Sequence, residues 1–106
     1  MDLFDIIGPV MIGKEAKLMK QIVLVTGASS GFGQMISRDL ARAGHTVYAS
    51  MRGTAEKNAD KVRDNAAFAE EHGVDLHSIE LDVQDEISTA RAVERIIAEQ
   101  GRIDIL

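Results

Sequence analysis

Cysteine is absent from this chain of 106 residues, and proline occurs once, at Pro9. Without cysteine there is no disulfide, no thiolate ligand for a metal and no cysteine nucleophile, which fits a reducing, cytoplasmic compartment. Aromatic residues make up 4% of the sequence, too few for a platform that stacks nucleic-acid bases. No apolar run approaches the ~20 residues that a membrane-spanning helix needs. We therefore expect neither a membrane nor a nucleic acid as partner.

The charge of the chain supports the same exclusions. The formal net charge is −5, whereas nucleic-acid binders carry a basic excess. Hydrophobic residues at 45% and charged residues at 27% are typical of a globular protein. His45, His72 and His77 lack the spacing of metal ligands, so we expect no metal site and interpret all three as surface or turn residues.

Strand-like and helix-like segments alternate from Gln21 onward. Residues 22–25 form a continuous, β-branched-rich run, typical of a strand covered on both faces. We predict further strands at 46–51, 79–83 and 103–106, with a helix in each interval. The order βαβαβαβ predicts an α/β fold with a parallel sheet and right-handed crossovers.

Apolar residues at helical spacing predict the buried face of each helix. The first face comprises Phe32, Ile36, Leu40 and Ala43; the second Ala59, Val62, Ala66 and Ala69; the third Ile87, Ala90, Val93 and Ile97. Thr54 and Asp85 are the expected N-caps of the second and third helices. Glycines 44, 73 and 101 are expected to end the three helices.

A glycine-rich loop, Thr26 to Gly33, joins the first strand to the first helix. Gly27 can take the sharp turn, Gly31 can admit a pyrophosphate close to the backbone, and Gly33 allows the helix to pack against the sheet. The helix N-terminus offers unpaired N–H groups and a positive dipole end to the phosphates. This context predicts a dinucleotide site.

The loop has the spacing TGxxxGxG and resembles the short-chain dehydrogenase/reductase family. Residues 81–83, Leu-Asp-Val, resemble the family's adenine-contacting segment. Residues 101–106 resemble the segment that leads into its Asn-Asn-Ala-Gly motif. The resemblance covers residues 19–106 and implies a Rossmann dinucleotide-binding domain. By that resemblance the pyrophosphate and ribose side is lined by Gly27, Ser29, Gly31, Phe32 and Gly33, while Asp82 accepts from the adenine amino group with the Val83 N–H beside it.

The end of the second strand indicates which cofactor is preferred. NAD sites of this fold place Asp or Glu there to bind the ribose 2′-OH, but here Met51 is followed by Arg52. A guanidinium can pair bidentately with a 2′-phosphate, so we expect NADP rather than NAD. Ser30, also assigned to the cofactor site, occupies a position that is Lys or Arg in another NADP-preferring subgroup. Because this chain has a serine at that position, Arg52 is the main residue that indicates NADP rather than NAD.

Catalytic residues are not expected in this chain. The resembling reductases use a tyrosine, a lysine four residues later, a serine and an asparagine, and none of that set can be placed here. The only tyrosine is Tyr48, in the second predicted strand, which we interpret as packing. We therefore interpret residues 19–106 as the truncated N-terminal part of a doubly wound Rossmann sheet, with strand order 3-2-1-4. The first two helices should lie on one face and the third on the other.

The implied parent is an NADP-dependent oxidoreductase acting on an alcohol or a carbonyl. The alternative is a non-catalytic module that binds a dinucleotide or a partner protein. The open edge of the truncated sheet predicts self-association, including homo-oligomers, or aggregation.

The first 18 residues differ in composition, and we interpret residues 1–18 as an appended leader and linker. Residues 4–13 resemble the opening of the iron–sulfur L-serine dehydratase β domain, but the similarity ends at Lys14. No cysteine is present to ligate a cluster. A serine dehydratase-related fusion product is therefore a further alternative.

Overall fold

The computed structural model describes residues 20–104. The predicted leader at 1–18 and the last two residues, 105 and 106, lie outside this range. The elements are β1 (Ile22–Val25), α1 (Gly31–Arg42), β2 (Thr46–Met51), α2 (Ala59–His72), β3 (Leu76–Glu80) and α3 (Glu86–Gln100). The predicted alternation of strands and helices is thus confirmed over the described part of the chain, and the bounds of β1 and β2 are those predicted.

The three strands form a parallel sheet in the order β1-β2-β3. Val23 pairs with Val47, and Val47 with Leu76, so β2 lies in the centre. All six residues of β2 are buried. The fourth predicted strand lies partly outside the described residues. Within the described part of this segment, the Asp104 N–H donates to the Ile22 carbonyl at 2.9 Å. This hydrogen bond places residue 104 beside the start of β1.

Each face of the sheet carries its own hydrophobic core. On one face, α1 and α2 pack against Val23, Val47 and Ala49, with Leu40 and Phe68 among the helical contributors. On the other face, Ala92 and Ile96 of α3 pack against Leu24 and Tyr48. The predicted distribution of helices, two on one face and one on the other, is confirmed. Alternate residues of β1 and β2 face opposite cores, because side chains alternate along a strand.

The prediction of the third strand at 79–83 was wrong by three residues at each end. β3 begins at Leu76 and ends at Glu80, because its partner β2 supplies pairing positions only from Val47 to Met51. Leu81 is buried and its N–H still donates to the Met51 carbonyl, but the chain then turns. The turn brings Asp85 to the N-terminus of α3, where its carboxylate accepts from the Ile87 and Ser88 amides as predicted.

The predicted buried faces of the helices were partly wrong. In α1, Phe32 is exposed and the buried residues are Gly33, Ser37, Leu40 and Ala41. In α3, Ile87 and Ile97 are exposed, and Ala92 and Ile96 are buried. Because Ala92 is small, α3 can approach the sheet closely on the side of the helix that carries Ala92 and Ile96. That side differs from the one that the spacing of apolar residues predicts.

The start of α2 also differs from the prediction. Thr54 does not cap the helix, which begins at Ala59 after Asn58, because the Thr54 hydroxyl donates to Glu80 instead. Ala66 is exposed, whereas its neighbour Asn65 is buried and donates to the Ser78 hydroxyl at 3.2 Å. Gly73 and Gly101 end α2 and α3 in the left-handed conformation, as predicted.

His45 is not the surface residue that the sequence suggested. It is 5% exposed, and its Nδ1 accepts the Gln21 N–H at 3.0 Å. Burial lowers the pKa of His45, so the neutral ring that this hydrogen bond requires is favoured. Between residues 20 and 104, no helix is long and apolar enough to cross a membrane.

Candidate functional site

The loops that follow the three strands lie at one edge of the sheet, because the strands are parallel. Hydrogen bonds connect these loops to one another. The Ala28 N–H, in the glycine loop, donates to the carbonyl of Ser50 near the end of β2 at 2.9 Å. The Ser50 hydroxyl donates back to the Val25 carbonyl at 2.9 Å. The site predicted from three separated segments is therefore brought to one edge.

Two glycines of the loop are required by geometry. Gly27 has φ +64°, a conformation that residues with a side chain rarely adopt. A Cβ at Gly33 would lie 2.3 Å from the Gly27 carbonyl oxygen and 2.9 Å from the Ala28 Cα. Gly33 therefore lets the first turn of α1 pack directly on the loop backbone, whereas the sequence analysis predicted a close approach to the sheet.

Gly31 differs from both, because a Cβ there would meet no atom within 4 Å. It opens α1, and its N–H and that of Phe32 have no hydrogen-bond acceptor within residues 20–104. Free amides at a helix N-terminus beside open space suit an anion such as a phosphate. The Phe32 side chain, 70% exposed, projects beside them. The loop therefore fits the pyrophosphate of a dinucleotide.

The two serines of the loop have different surroundings. The Ser30 hydroxyl accepts the Gly33 N–H at 3.1 Å and donates to the Gly27 carbonyl at 2.9 Å. It is the N-cap of α1, and it closes the turn. Ser29 is half-buried in the same turn, and its side chain has no hydrogen-bond partner among the described residues.

Arg52 follows β2 directly and is exposed. Its guanidinium makes no ion pair or hydrogen bond with any of residues 20–104. Its backbone is held, because its carbonyl accepts the Asn58 side-chain amide at 2.6 Å. Met51 occupies the position at which NAD sites of this fold have a ribose-binding carboxylate, and its side chain is buried. The structure thus places an unengaged cation at the exit of the central strand.

Glu80 is the residue that the sequence analysis missed. Its carboxylate accepts the Gly53 N–H at 3.1 Å, and the Thr54 N–H and hydroxyl both at 2.9 Å. The hydrogen bond from the Thr54 N–H, the strongest influence, and those from the Thr54 hydroxyl and the Gly53 N–H lower the pKa of Glu80. The only sequence signal was that Glu80 is a charged residue between apolar residues of the third predicted strand.

Asp82 and Val83 lie just beyond β3. The Asp82 carboxylate accepts the Gln84 N–H at 3.0 Å, and its own N–H donates to the Ser88 hydroxyl at 2.9 Å. One Asp82 carboxylate oxygen, Oδ2, has no donor within the described range. Val83 is 68% exposed. Both residues stand at the same sheet edge as the glycine loop, on the far side of β2.

Tyr48 is packed in the core. It is fully buried, and its hydroxyl donates to Glu99 and accepts from the Gln100 amide at 3.1 Å. Burial raises the pKa of Tyr48, and the hydrogen bond to Glu99 raises it further. The ring stacks on His77 at a centroid distance of 4.8 Å. Among the described residues, no group of three or more acidic or histidine side chains could hold a metal ion.

Comparison with known proteins identifies the family. Residues 21–106 match the sequence profile of the family described as short chain dehydrogenase. This chain belongs to the short-chain dehydrogenase family. The family's members are NAD(P)-binding oxidoreductases that act on small-molecule substrates, and the curated relatives are named as reductases, dehydrogenases or oxidoreductases.

Three curated relatives illustrate the similarity. A 3-ketodihydrosphingosine reductase of Bacteroides thetaiotaomicron is 42% identical over 84% of this chain and 28% of its own length. A 3-oxoacyl-(acyl-carrier-protein) reductase of Aquifex aeolicus is 37% identical over 87% of this chain and 36% of its own length. An NADP-dependent 3-hydroxy acid dehydrogenase of Escherichia coli is 35% identical over 80% of this chain and 31% of its own length. The chain therefore spans about a third of the length of these relatives.

Solved structures give the same result for the fold. The menthone neomenthol reductase of Mentha piperita matches with a TM-score of 0.69 and 32% identity, over 82% of this chain and 30% of that protein. A short-chain dehydrogenase of Sphingobium yanoikuyae in complex with NADPH matches with a TM-score of 0.60 and 31% identity, over 78% and 31%. The described residues thus correspond to the N-terminal, Rossmann-like part of the family fold.

Proposed function

We propose that residues 19–106 bind NADP(H), with the glycine loop holding the pyrophosphate and Arg52 selecting the 2′-phosphate. The observation that carries the proposal is the exposed, unengaged Arg52 at the end of β2, beside buried Met51. A carboxylate at that strand end would repel a phosphate, whereas a guanidinium can pair with it through two hydrogen bonds. The NADPH bound to the Sphingobium relative and the NADP dependence of the Escherichia coli relative are consistent with this choice.

The remaining predicted residues complete the proposed site. Gly27, Ser30 and Gly33 shape the loop, while Gly31, Phe32 and Ser29 border the space where the pyrophosphate and ribose would lie. Asp82, through its free carboxylate oxygen, and Val83, through its N–H, would contact the adenine. NADP, when bound, accepts or supplies a hydride, and this chain's residues bind and orient it. In a protein as long as these relatives, the proposed reaction interconverts an alcohol and a carbonyl.

The proposal is tested by comparing NADPH with NADH by calorimetry on this chain. One charge-assisted contact contributes about 1.5–3 kcal/mol, so NADPH should bind about tenfold more tightly or better. Arg52→Ala should remove most of that difference. Arg91→Ala is the matched control, because Arg91 is an exposed arginine on α3, across the sheet from α1 and α2. Equal affinities for the two nucleotides in the unsubstituted chain would contradict the proposal.

Binding without turnover is proposed for the 106-residue chain. Acid–base transfer needs a side chain within hydrogen-bond reach of the reacting oxygen. The one tyrosine, Tyr48, is buried against α3 and engaged by Glu99 and Gln100, so it does not face the loop edge. The purified chain should not oxidise alcohols or reduce ketones with NADP(H). Activity that persists through stringent purification, and in Tyr48→Phe, would show that another group performs the transfer.

A further inference from the structure

The loop that carries Arg52 is attached to the sheet by Glu80. Glu80 is the last residue of β3, and its two carboxylate oxygens accept both backbone amides that follow Arg52, those of Gly53 and Thr54, at 3.1 and 2.9 Å. The Thr54 hydroxyl adds a third hydrogen bond at 2.9 Å. Because Met51 and Glu80 pair in the sheet, this attachment lies directly beside the exit of β2.

The rest of the loop is closed on the same point. The Gly53 carbonyl accepts the Glu56 and Asn58 amides at 3.0 and 2.9 Å, and Gly53 has φ +65°. The Asn58 side chain holds the carbonyl of Arg52. The backbone on the C-terminal side of Arg52 is therefore fixed by hydrogen bonds to β3 and to the start of α2, although it has no regular secondary structure.

This attachment has a consequence for anion binding. Glu80 takes up the Gly53 and Thr54 backbone donors, so a phosphate at this loop would meet its two cationic side chains, Lys57 and Arg52. Arg52 is the one that directly follows β2, and its guanidinium is the one that can bind a phosphate bidentately. A flexible loop would present Arg52 correctly for only part of the time, and affinity falls in proportion to the competent fraction. A held backbone removes that loss, provided the guanidinium itself reaches the phosphate.

We propose that Glu80 is a positioning residue for cofactor choice: by holding the Gly53–Thr54 backbone, it presents Arg52 to the 2′-phosphate and so increases the preference for NADPH over NADH. This inference rests on the proposed function above. In this role Glu80 would act through the loop backbone and not by contact with the cofactor, and its negative charge would repel a phosphate bound at Arg52. If positioning outweighs repulsion, removal of the Glu80 carboxylate weakens NADPH binding; if repulsion dominates, the removal strengthens it.

The test measures NADPH and NADH affinities by calorimetry for the unsubstituted chain, Glu80→Ala and Glu80→Gln. Glu80→Ala should weaken NADPH binding about fivefold, as expected if the loop is competent about a fifth of the time. NADH affinity should stay within about twofold, because NADH has no 2′-phosphate for Arg52. Glu80→Gln keeps an acceptor oxygen and should give a smaller loss in the same direction. Glu94→Ala, at an exposed glutamate of α3, should change neither affinity.

The amide signals of Gly53 and Thr54 in NMR provide a readout without nucleotide, and both should broaden or shift in Glu80→Ala. Unchanged or tighter NADPH binding in folded Glu80→Ala would overturn the inference, the latter because repulsion would then dominate. Should Glu80→Ala not fold, unchanged or tighter binding by Glu80→Gln would overturn it equally. An unsubstituted chain without NADPH preference, or an Arg52→Ala variant that keeps it, would instead overturn the proposed function.

Discussion

The loops after β1 and β2 are built differently, although both leave the same edge of the sheet. The loop after β1 is shaped by backbone: Gly27 at positive φ and Gly33 packed against the Gly27 carbonyl. The loop after β2 is held by a side chain from another strand, the carboxylate of Glu80. The first arrangement suits a group common to all dinucleotides, while the second holds the loop that carries Arg52, the cation proposed to distinguish their 2′ substituents. Substitutions should therefore affect the two loops in different ways.

The largest expected effect is that of Gly33→Ala. The added Cβ would meet backbone atoms, which cannot rotate away, so α1 would have to move off the loop. Overpacking costs about 1–3 kcal/mol, and a backbone clash should lie at or above the upper end. Urea denaturation should show the midpoint falling accordingly, with nucleotide binding lost. An unchanged midpoint would mean that the close approach of α1 and the loop is not essential.

Gly31→Val should affect binding without affecting the fold. Its Cβ meets no atom within 4 Å, and Gly31 does not have positive φ, so the variant should unfold at nearly the same urea concentration. The branched side chain would occupy the space proposed for the pyrophosphate, lowering NADPH and NADH affinity at least about tenfold, or about 1.4 kcal/mol. Undiminished nucleotide binding by the folded variant would show that the pyrophosphate does not bind at this loop.

Ser30→Ala should have a smaller effect, on stability. Its hydroxyl caps α1, and removal of an N-cap costs about 1 kcal/mol. For a domain of this size that lowers the melting temperature by about 4–8 °C. Because the hydroxyl is engaged within the turn, the affinity for NADPH should change less than about threefold. That corresponds to a binding free energy change well below the roughly 1.4 kcal/mol of a tenfold change. A large loss of affinity at an unchanged melting temperature would assign Ser30 to direct cofactor contact instead.

The smallest effect is a local response to acid. The pKa of Glu80 lies below its ordinary value, so its anchoring is complete above that ordinary value and is lost as the pH falls through the folded pKa. The amide shifts of Gly53 and Thr54 should titrate with a midpoint below 4.5, the ordinary pKa of a glutamate. The Gly33 amide, bonded to the Ser30 hydroxyl, provides the comparison and should lack this transition. A common midpoint for all three amides would indicate global unfolding instead.

Sequence reasoning was most successful where one local signal sufficed. The buried apolar runs predicted β1 and β2, the glycine pattern predicted the turn into α1, and Asp85 predicted a helix start. It was least successful where two segments compete for one group. Thr54 looked like a helix cap, but Glu80 takes its hydroxyl, and β3 is shifted because β2 determines where pairing is possible.

The amino-acid sequence by itself determined the family, the parallel α/β order, the glycine loop and the arginine after the second strand, because each depends on residues adjacent in the chain. Only the tertiary structure decided which helix faces are buried, that His45 is enclosed, and that Glu80 holds the loop carrying Arg52. Those features depend on contacts between distant segments. The hydrogen bond from Thr54 to Glu80 spans 26 residues of sequence, and no local pattern of polarity or spacing encodes such a pairing.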